Sequence, residues 1–220
     1  MDDMARFRLG VTTWARSGRG AATPAAVAEL APSVSTVVLV EGDSDLVAIE
    51  TLARTRGRSL ADERIAIVPL GGAMNIRTFV TLLGPHGLGL GLAGLCDIGE
   101  ERFFARALAD AGLLDAPGRS AMEDLGFFVC DADLEDELIR TLGTDDVELT
   151  MAAEGDLRAF RVFQNQPAQR ARAVDAQQRR FLGSIGGRKS RYARALVEAL
   201  GDAPAPRPLE RLLEFVATPV

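Results

Sequence analysis

The sequence predicts an α/β fold, a parallel four-stranded sheet with flanking helices, followed by a C-terminal helical region. Three observations predict it. Four short apolar runs recur between residues 36 and 130, each continuous rather than alternating, as in strands buried on both faces. A helical pattern follows each run, and strand–helix alternation means a parallel sheet with helices on its faces. Beyond residue 145 no convincing strand pattern returns.

Taken in order, residues 1–34 read as an amphipathic helical segment, with "FRLGVTTWA" as one helix and Thr23-Pro24 starting a second, "PAAVAELA". "TVVLV" (36–40) is the first strand. "DLVAIETLARTRG" follows as a helix, with Ser44 or Asp45 as its cap and Gly57 as its stop. "RIAIVPL" (64–70), Gly71-Gly72 and the helix "MNIRTFVTLLG" form the second unit. "LGLAGLC" (90–96), ending at Asp97, and "EERFFARALADAG" form the third. "GFFVC" (126–130) and "DADLEDELIRTLG" form the fourth. The expected organisation is thus a helical segment over 1–34, an α/β domain over 35–144 and a basic helical region over 145–220.

Composition narrows the chemistry. The 220 residues are 47% hydrophobic and 25% charged, which suits a packed core rather than disorder. No apolar run reaches membrane-spanning length and the acidic start lacks a signal peptide's apolar centre, so a cytoplasmic protein is expected. Cys96 and Cys130, both inside apolar runs, read as buried free thiols that suit a reducing compartment, and the set offers no zinc site. One histidine, His86 in a Gly-rich loop, excludes HExxH chemistry, and no GxSxG elbow exists for a serine triad. Carboxylates, arginine and lysine remain.

Parallel strands joined by right-handed crossovers place all four C-terminal ends on one edge, where ligands of open α/β sheets bind. Glu41, Asp97 and the acids of "DADLEDE" all follow such ends. Any one of them alone is an ordinary helix cap. Together, carboxylates crowded in one cleft repel one another unless a cation lies between them. All-oxygen ligands suit Mg²⁺, Mn²⁺ or Ca²⁺, and Mg²⁺ (or Mn²⁺), one or two ions, is expected beside phosphoryl oxygens.

"VLVEGDSDLVAIETLA" resembles the first motif of the Toprim domain, a hydrophobic strand followed by Glu-Gly-x-x-Asp, and "IVPLGGAM" resembles the turn after that family's second strand. The order covers residues 36 to about 143, and the implied fold is Rossmann-like. Toprim domains occur in topoisomerases, primases, recombination proteins and the OLD (overcoming lysogenization defect) nucleases. "DADLEDELIRTLG" resembles the leucine-glutamate motif of the OLD branch, matching Glu135. "GRKSRYARALVEAL" resembles its C-terminal helix, matching Lys189, Tyr192 and Ala193. The resemblance implies a metal-dependent DNA endonuclease with Glu41, Asp45, Asp97 and Glu135 as metal ligands or their supports, and Glu41 and Lys189 as catalytic residues. One departure stands out. Where Toprim proteins carry Asp-x-Asp, this chain reads Asp97-Ile98-Gly99. Glu100 is one helical step of about 100° further on, and Glu100, Asp131 or Asp133 is the candidate substitute.

Lys189 is the only lysine among 25 basic residues, a compact charge suited to a leaving or attacking oxygen. It lies in a segment, 158–194, with ten basic residues and one acid, Asp175. That is a local charge of +9 against −15 for the rest of the chain, which suggests a polyanion partner. DNA is the expected partner, with Arg179, Arg180, Arg188 and Arg191 as backbone contacts. The opposing reading of such a run is a set of solvated helix faces. "GSIGGRKS" is one residue off a Walker A pattern and follows a helical segment, so it is not expected to be a P-loop. OLD proteins usually carry an ATPase domain ahead of Toprim. With residues 1–34 in that place, ATP-driven control is expected from a separate ATPase chain or not at all. The alternative to a nuclease is a non-catalytic Toprim module that binds nucleic acid or nucleotide. Topoisomerase chemistry needs a tyrosine, and Tyr192, the only one, reads as a packing residue. Primase normally needs additional zinc or helicase-binding domains, for which the sequence has no room.

Overall fold

The computed structural model describes residues 3–17, 27–115, 118–184 and 187–218. Four strands form its sheet: β1 (Thr36–Val40), β2 (Ile65–Pro69), β3 (Gly91–Asp97) and β4 (Phe127–Cys130). All pairings are parallel and the spatial order is β2-β1-β3-β4. Each strand falls within a residue or two of the apolar run that predicted it. Ahead of the sheet lies α1 (Asp3–Ser17). Between strands run α2 (Asp43–Thr55), α3 (Ile76–Leu83), α4 (Glu101–Asp110) and α5 (Arg119–Asp124). After β4 come α6 (Leu134–Leu142), α7 (Thr144–Ala153), α8 (Leu157–Gln164), α9 (Val174–Leu182), α10 (Arg188–Ala199) and α11 (Arg207–Ala217). The short α5 was not anticipated. The expected helix from Thr23-Pro24 begins outside the described residues.

The strands lack polar alternation because both faces are covered. Val38, Val40, Ile65, Ile67, Ala93, Leu95, Phe128 and Cys130 belong to one core. Val37, Leu39, Ala66, Val68, Cys96, Phe127 and Val129 belong to the other. The second core is filled by α1, α3, α4 and α5 through Phe7, Phe79, Phe104 and Met122. The first is filled by α2, α6 and the C-terminal helices, through Leu52, Leu138, Tyr192, Leu196 and Leu212. Burial of each such side chain contributes about 1.5–3 kcal/mol, so the basic C-terminal helices are part of the sheet's own packing. Helix α10 in particular lies along α2.

Gly94 shows how tightly β3 is held. A Cβ there would sit 2.6 Å from a Phe127 ring carbon and 2.9 Å from the Leu39 carbonyl oxygen. At the open edge of β2, the Arg8 side chain of α1 donates its Nε–H to the Ile67 carbonyl at 2.8 Å and pairs with Glu50 at 2.6 Å. That satisfies an edge carbonyl otherwise offered to solvent or another chain.

Candidate metal centre

The chain leaves β1 for β2 on one side and leaves β3 for β4 on the other, so the two connections run in opposite directions and a crevice opens at the C-terminal ends of β1 and β3. Glu41 is the first residue past β1 and Asp97 the last of β3. Val40 pairs with Leu95, which brings the two acids to neighbouring levels of the edge. Glu100 joins them through the backbone. Its N–H bonds to the Asp97 carbonyl at 2.9 Å, closing a turn that folds residue 100 back over residue 97 before α4 begins. Glu41, Asp97 and Glu100 each present a carboxylate oxygen, and the three lie within 4.8 Å of one another. Among the described residues they are the acids grouped closely enough to share one ion.

Around this cluster lies a cleft of about 470 Å³, lined by Gly42, Asp43, Ser44, Asp45, Gly71, Gly72, Leu134, Glu135, Lys189 and Ser190 as well as Glu41 and Asp97. The Gly71-Gly72 turn runs beside the acid-bearing loop, with the Gly71 N–H bonded to the Glu41 carbonyl at 3.2 Å. Both glycines have positive φ, 67° and 121°, a conformation side-chain-bearing residues resist.

The remaining expected ligands are placed differently. Asp45 lines the cleft but its Oδ2 accepts from the Gly42 N–H at 2.9 Å. The cap assignment therefore needs correction. Helix α2 starts at Asp43 with Gly42 as the capping residue, and Asp45 acts from the first turn by reaching back. Glu135 lines the cleft and bonds Lys189 Nζ at 3.2 Å. Asp133 caps α6 by accepting from Asp136 N at 2.8 Å and pairs with Arg179 at 2.7 Å. Asp131 points away from the cleft, pairing with Arg119 at 3.0 Å. Of the three candidate substitutes, Glu100 is the one the fold brings to Glu41 and Asp97.

Burial first, and mutual repulsion after it, raise the pKa values of the cleft acids. Burial pushes Asp97 up to about 8, reinforced by Asp45, Asp133, Glu41 and Glu135. Asp45 is pushed up to about 7 by burial, against the pull of the Gly42 N–H. Glu41 is raised by burial and then by Glu100. Burial alone would lower the Lys189 pKa, but Glu135 and the neighbouring acids outweigh it and raise it, so the amine stays charged. Carboxylates of this kind take a divalent cation, whose bonds of 2.1–2.6 Å set its oxygen ligands about 3–5 Å apart. The Glu41–Asp97–Glu100 spacing fits that range.

The four arginines expected on nucleic acid divide sharply. Arg188 is turned inward. Its side chain is 10% exposed, lies 4.1 Å over the Phe181 ring and bonds the Phe181 carbonyl at 3.1 Å. Arg191 pairs with Asp156 and Glu154, and Arg179 with Asp133. Arg180 is exposed and has no acid partner among the described residues. Tyr192 is fully buried, its hydroxyl donating to Asp156 at 3.1 Å, and His86 is exposed in its loop. Asp156, absent from the sequence-based candidates, thus ties the α7–α8 junction to α10 on either side of Lys189. No helix among the described residues is long and apolar enough to cross a membrane.

Comparison with known proteins bears on the fold. Residues 34–98 match the family model described as "Overcoming lysogenization defect protein-like, TOPRIM domain". No curated protein matches the sequence. Among solved structures, the C-terminal region of the Xanthomonas campestris pv. campestris OLD protein is similar in two determinations. One has 25% identity and a TM-score of 0.65, covering 83% of this chain and 92% of that one. The other has 26% identity and the same TM-score, covering 83% and 94%. The C-terminal region of the Burkholderia pseudomallei OLD protein shares the fold at 21% identity and TM-score 0.65, covering 83% and 97%. Residues 34–98 therefore carry an OLD-like Toprim domain, and the described chain has the fold of the C-terminal region of OLD proteins.

Proposed function

We propose that the chain is a divalent-metal-dependent nuclease that hydrolyses DNA phosphodiester bonds. The observation that carries this reading is the convergence of Glu41, Asp97 and Glu100 within 4.8 Å at the sheet edge, beside a half-exposed lysine. The three carboxylates would hold Mg²⁺ or Mn²⁺. When bound, the ion supplies charge neutralisation and Lewis acidity at a phosphoryl oxygen.

The rest is done by the chain's own groups. Asp45, bonded to the Gly42 N–H, fixes the loop that carries Glu41. The Gly71-Gly72 turn puts no side chain into its own stretch of the cleft wall, so a phosphate can approach the backbone there closely. Lys189 Nζ faces the same cleft and keeps its proton, so it offsets negative charge on the phosphate and the departing oxygen rather than acting as an acid. In the reaction water adds to phosphorus and gives up a proton to solvent, the phosphorus–oxygen ester bond breaks, and the departing oxygen takes up a proton from solvent. Arg180, with no acid partner among the described residues, would hold the DNA backbone without reading sequence.

The test is incubation of the purified chain with supercoiled plasmid and Mg²⁺ or Mn²⁺. Nicking is expected, suppressed by EDTA and lost in Glu41→Ala. Equal nicking by both proteins contradicts the reading. Metal-dependent DNA binding without nicking points instead to a non-catalytic Toprim module, the reading that Gly99 in place of an acid would favour.

A further inference from the structure

We infer that the outward face of α4, carrying Arg102 and Arg106, is a contact surface for the nucleic-acid backbone, so that bound DNA crosses the metal centre from the Lys189 side of the sheet to the α4 side. This path rests on the nuclease reading of Glu41, Asp97 and Glu100, and extends it to a part of the chain outside the basic segment 158–194.

Helix α4 leaves the metal centre directly. Its first residue follows Glu100, and the Phe103 N–H bonds to the Glu100 carbonyl at 2.8 Å. At about 100° per residue, the buried Phe104, Ala107 and Leu108 mark its inner face, and Arg102 and Arg106 fall together on the opposite one. Both are exposed, and at i and i+4 they are neighbours along the helix surface. The charge balance of α4 is the reverse of that in the C-terminal helices, where Arg179, Arg188 and Arg191 are held by Asp133 and Asp156. In α4 the acids are taken, Glu101 by Arg119 at 3.3 Å and Asp110 by Arg77 at 3.6 Å. The arginines are not. Neither Arg102 nor Arg106 has an acid partner among the described residues, and the Arg102 guanidinium lies over the Phe103 ring at 4.7 Å. A guanidinium steadied in this way loses less freedom when it takes a phosphate.

Two exposed apolar side chains border the same path. Ile98, in the turn between Asp97 and Glu100, is 49% exposed, and Met74, two residues past the cleft-lining Gly72, is 79% exposed. The short helix Ala73–Asn75 that carries Met74 packs against α4. Neither side chain serves the core, and both are placed to meet sugars or bases of DNA whose phosphates lie at the metal and on α4. Helix α4 packs into one core of the sheet and α10, with Lys189, into the other. Cations therefore flank the acid cluster from both faces, which draws a polyanion to a cleft whose own charge is negative.

The test is fluorescence anisotropy of a short labelled duplex bound by the full chain in Ca²⁺, across a salt series, with the fold of each variant checked by circular dichroism. Arg102→Ala/Arg106→Ala should weaken binding and reduce the slope of log K against log salt by about 1.8, two phosphates' worth. Arg102→Lys/Arg106→Lys should keep the parent slope. Proximity is read separately. Cys96 and Cys130 are buried, so a cysteine introduced at exposed Ala109, on the same outward face, or at exposed Ala61, ahead of β2 at the opposite edge of the sheet, can be labelled alone. A photoreactive benzophenone maleimide should crosslink DNA from Ala109→Cys and not from Ala61→Cys. An unchanged slope in the double alanine variant, or equal crosslinking from both positions, with a parent that binds and nicks DNA, overturns the α4 path and leaves the metal centre standing. A parent that neither binds nor nicks DNA overturns both.

Discussion

Raising the pH from 7 to 9 should tighten Mg²⁺ binding about tenfold through Asp97 alone. With its pKa near 8 in the metal-free protein, Asp97 is about one-tenth ionised at pH 7 and about nine-tenths at pH 9. Only the ionised form is a ligand, so the ion must displace the proton. At pH 7, binding should release close to one proton per ion from this residue, with Asp45, pushed up to about 7, adding a smaller share. The sign for folding runs the other way. Asp97 ionises near 3.8 when unfolded and near 8 when folded. The folded chain therefore retains a proton that the unfolded chain has lost. This contribution to stability is complete below pH 4, falls as pH rises, and is gone above about 8. Metal-free protein should accordingly melt at lower temperature at pH 8 than at pH 5, and added Mg²⁺ should restore more stability at the higher pH. Titration calorimetry in buffers of different ionisation enthalpy measures the released protons directly. Binding that is independent of pH, with no proton release, would refute the reasoning. Asp97→Asn should weaken binding and flatten the profile.

Four further substitutions test packing and charge. Gly94→Ala should destabilise the fold by about 1–3 kcal/mol in urea titration, because the new methyl group meets Phe127 and the Leu39 carbonyl. Asp156→Ala should cost about 1–3 kcal/mol by leaving the buried Tyr192 hydroxyl unpaired. The loss should shrink in a Tyr192→Phe background, where the hydroxyl is already gone. Arg180→Ala should reduce the salt dependence of DNA binding by about one counterion with little change in melting. Arg188→Ala should instead lower the melting temperature, since its side chain is packed on Phe181.

The strands were legible because each is buried on both faces and reads as an unbroken apolar run. "TVVLV" coincides with β1 residue for residue. The edge position of Glu41 and Asp97 followed from parallel topology alone. Three features depended on information that linear sequence does not carry. Glu100 was judged from helical geometry, yet residues 97–100 form a turn, and the turn sends its side chain back to Asp97. The cap of α2 was assigned to Ser44 or Asp45 by residue type. The helix instead begins earlier, and Asp45 reaches back to an extended Gly42. The basic segment read as a free surface because its acid partners, Asp133, Glu148, Glu154 and Asp156, lie outside the run. Asp156 itself carries no motif. It becomes visible only once Arg188, Arg191 and Tyr192 are seen around it.

The most direct measurement is anomalous diffraction from crystals soaked in Mn²⁺. A peak about 2.1–2.3 Å from carboxylate oxygens of Glu41, Asp97 and Glu100 together is the predicted result. Absence of a peak there, or a Mn²⁺ ion held instead by acids outside the cleft such as Asp131 and Asp136, would contradict it.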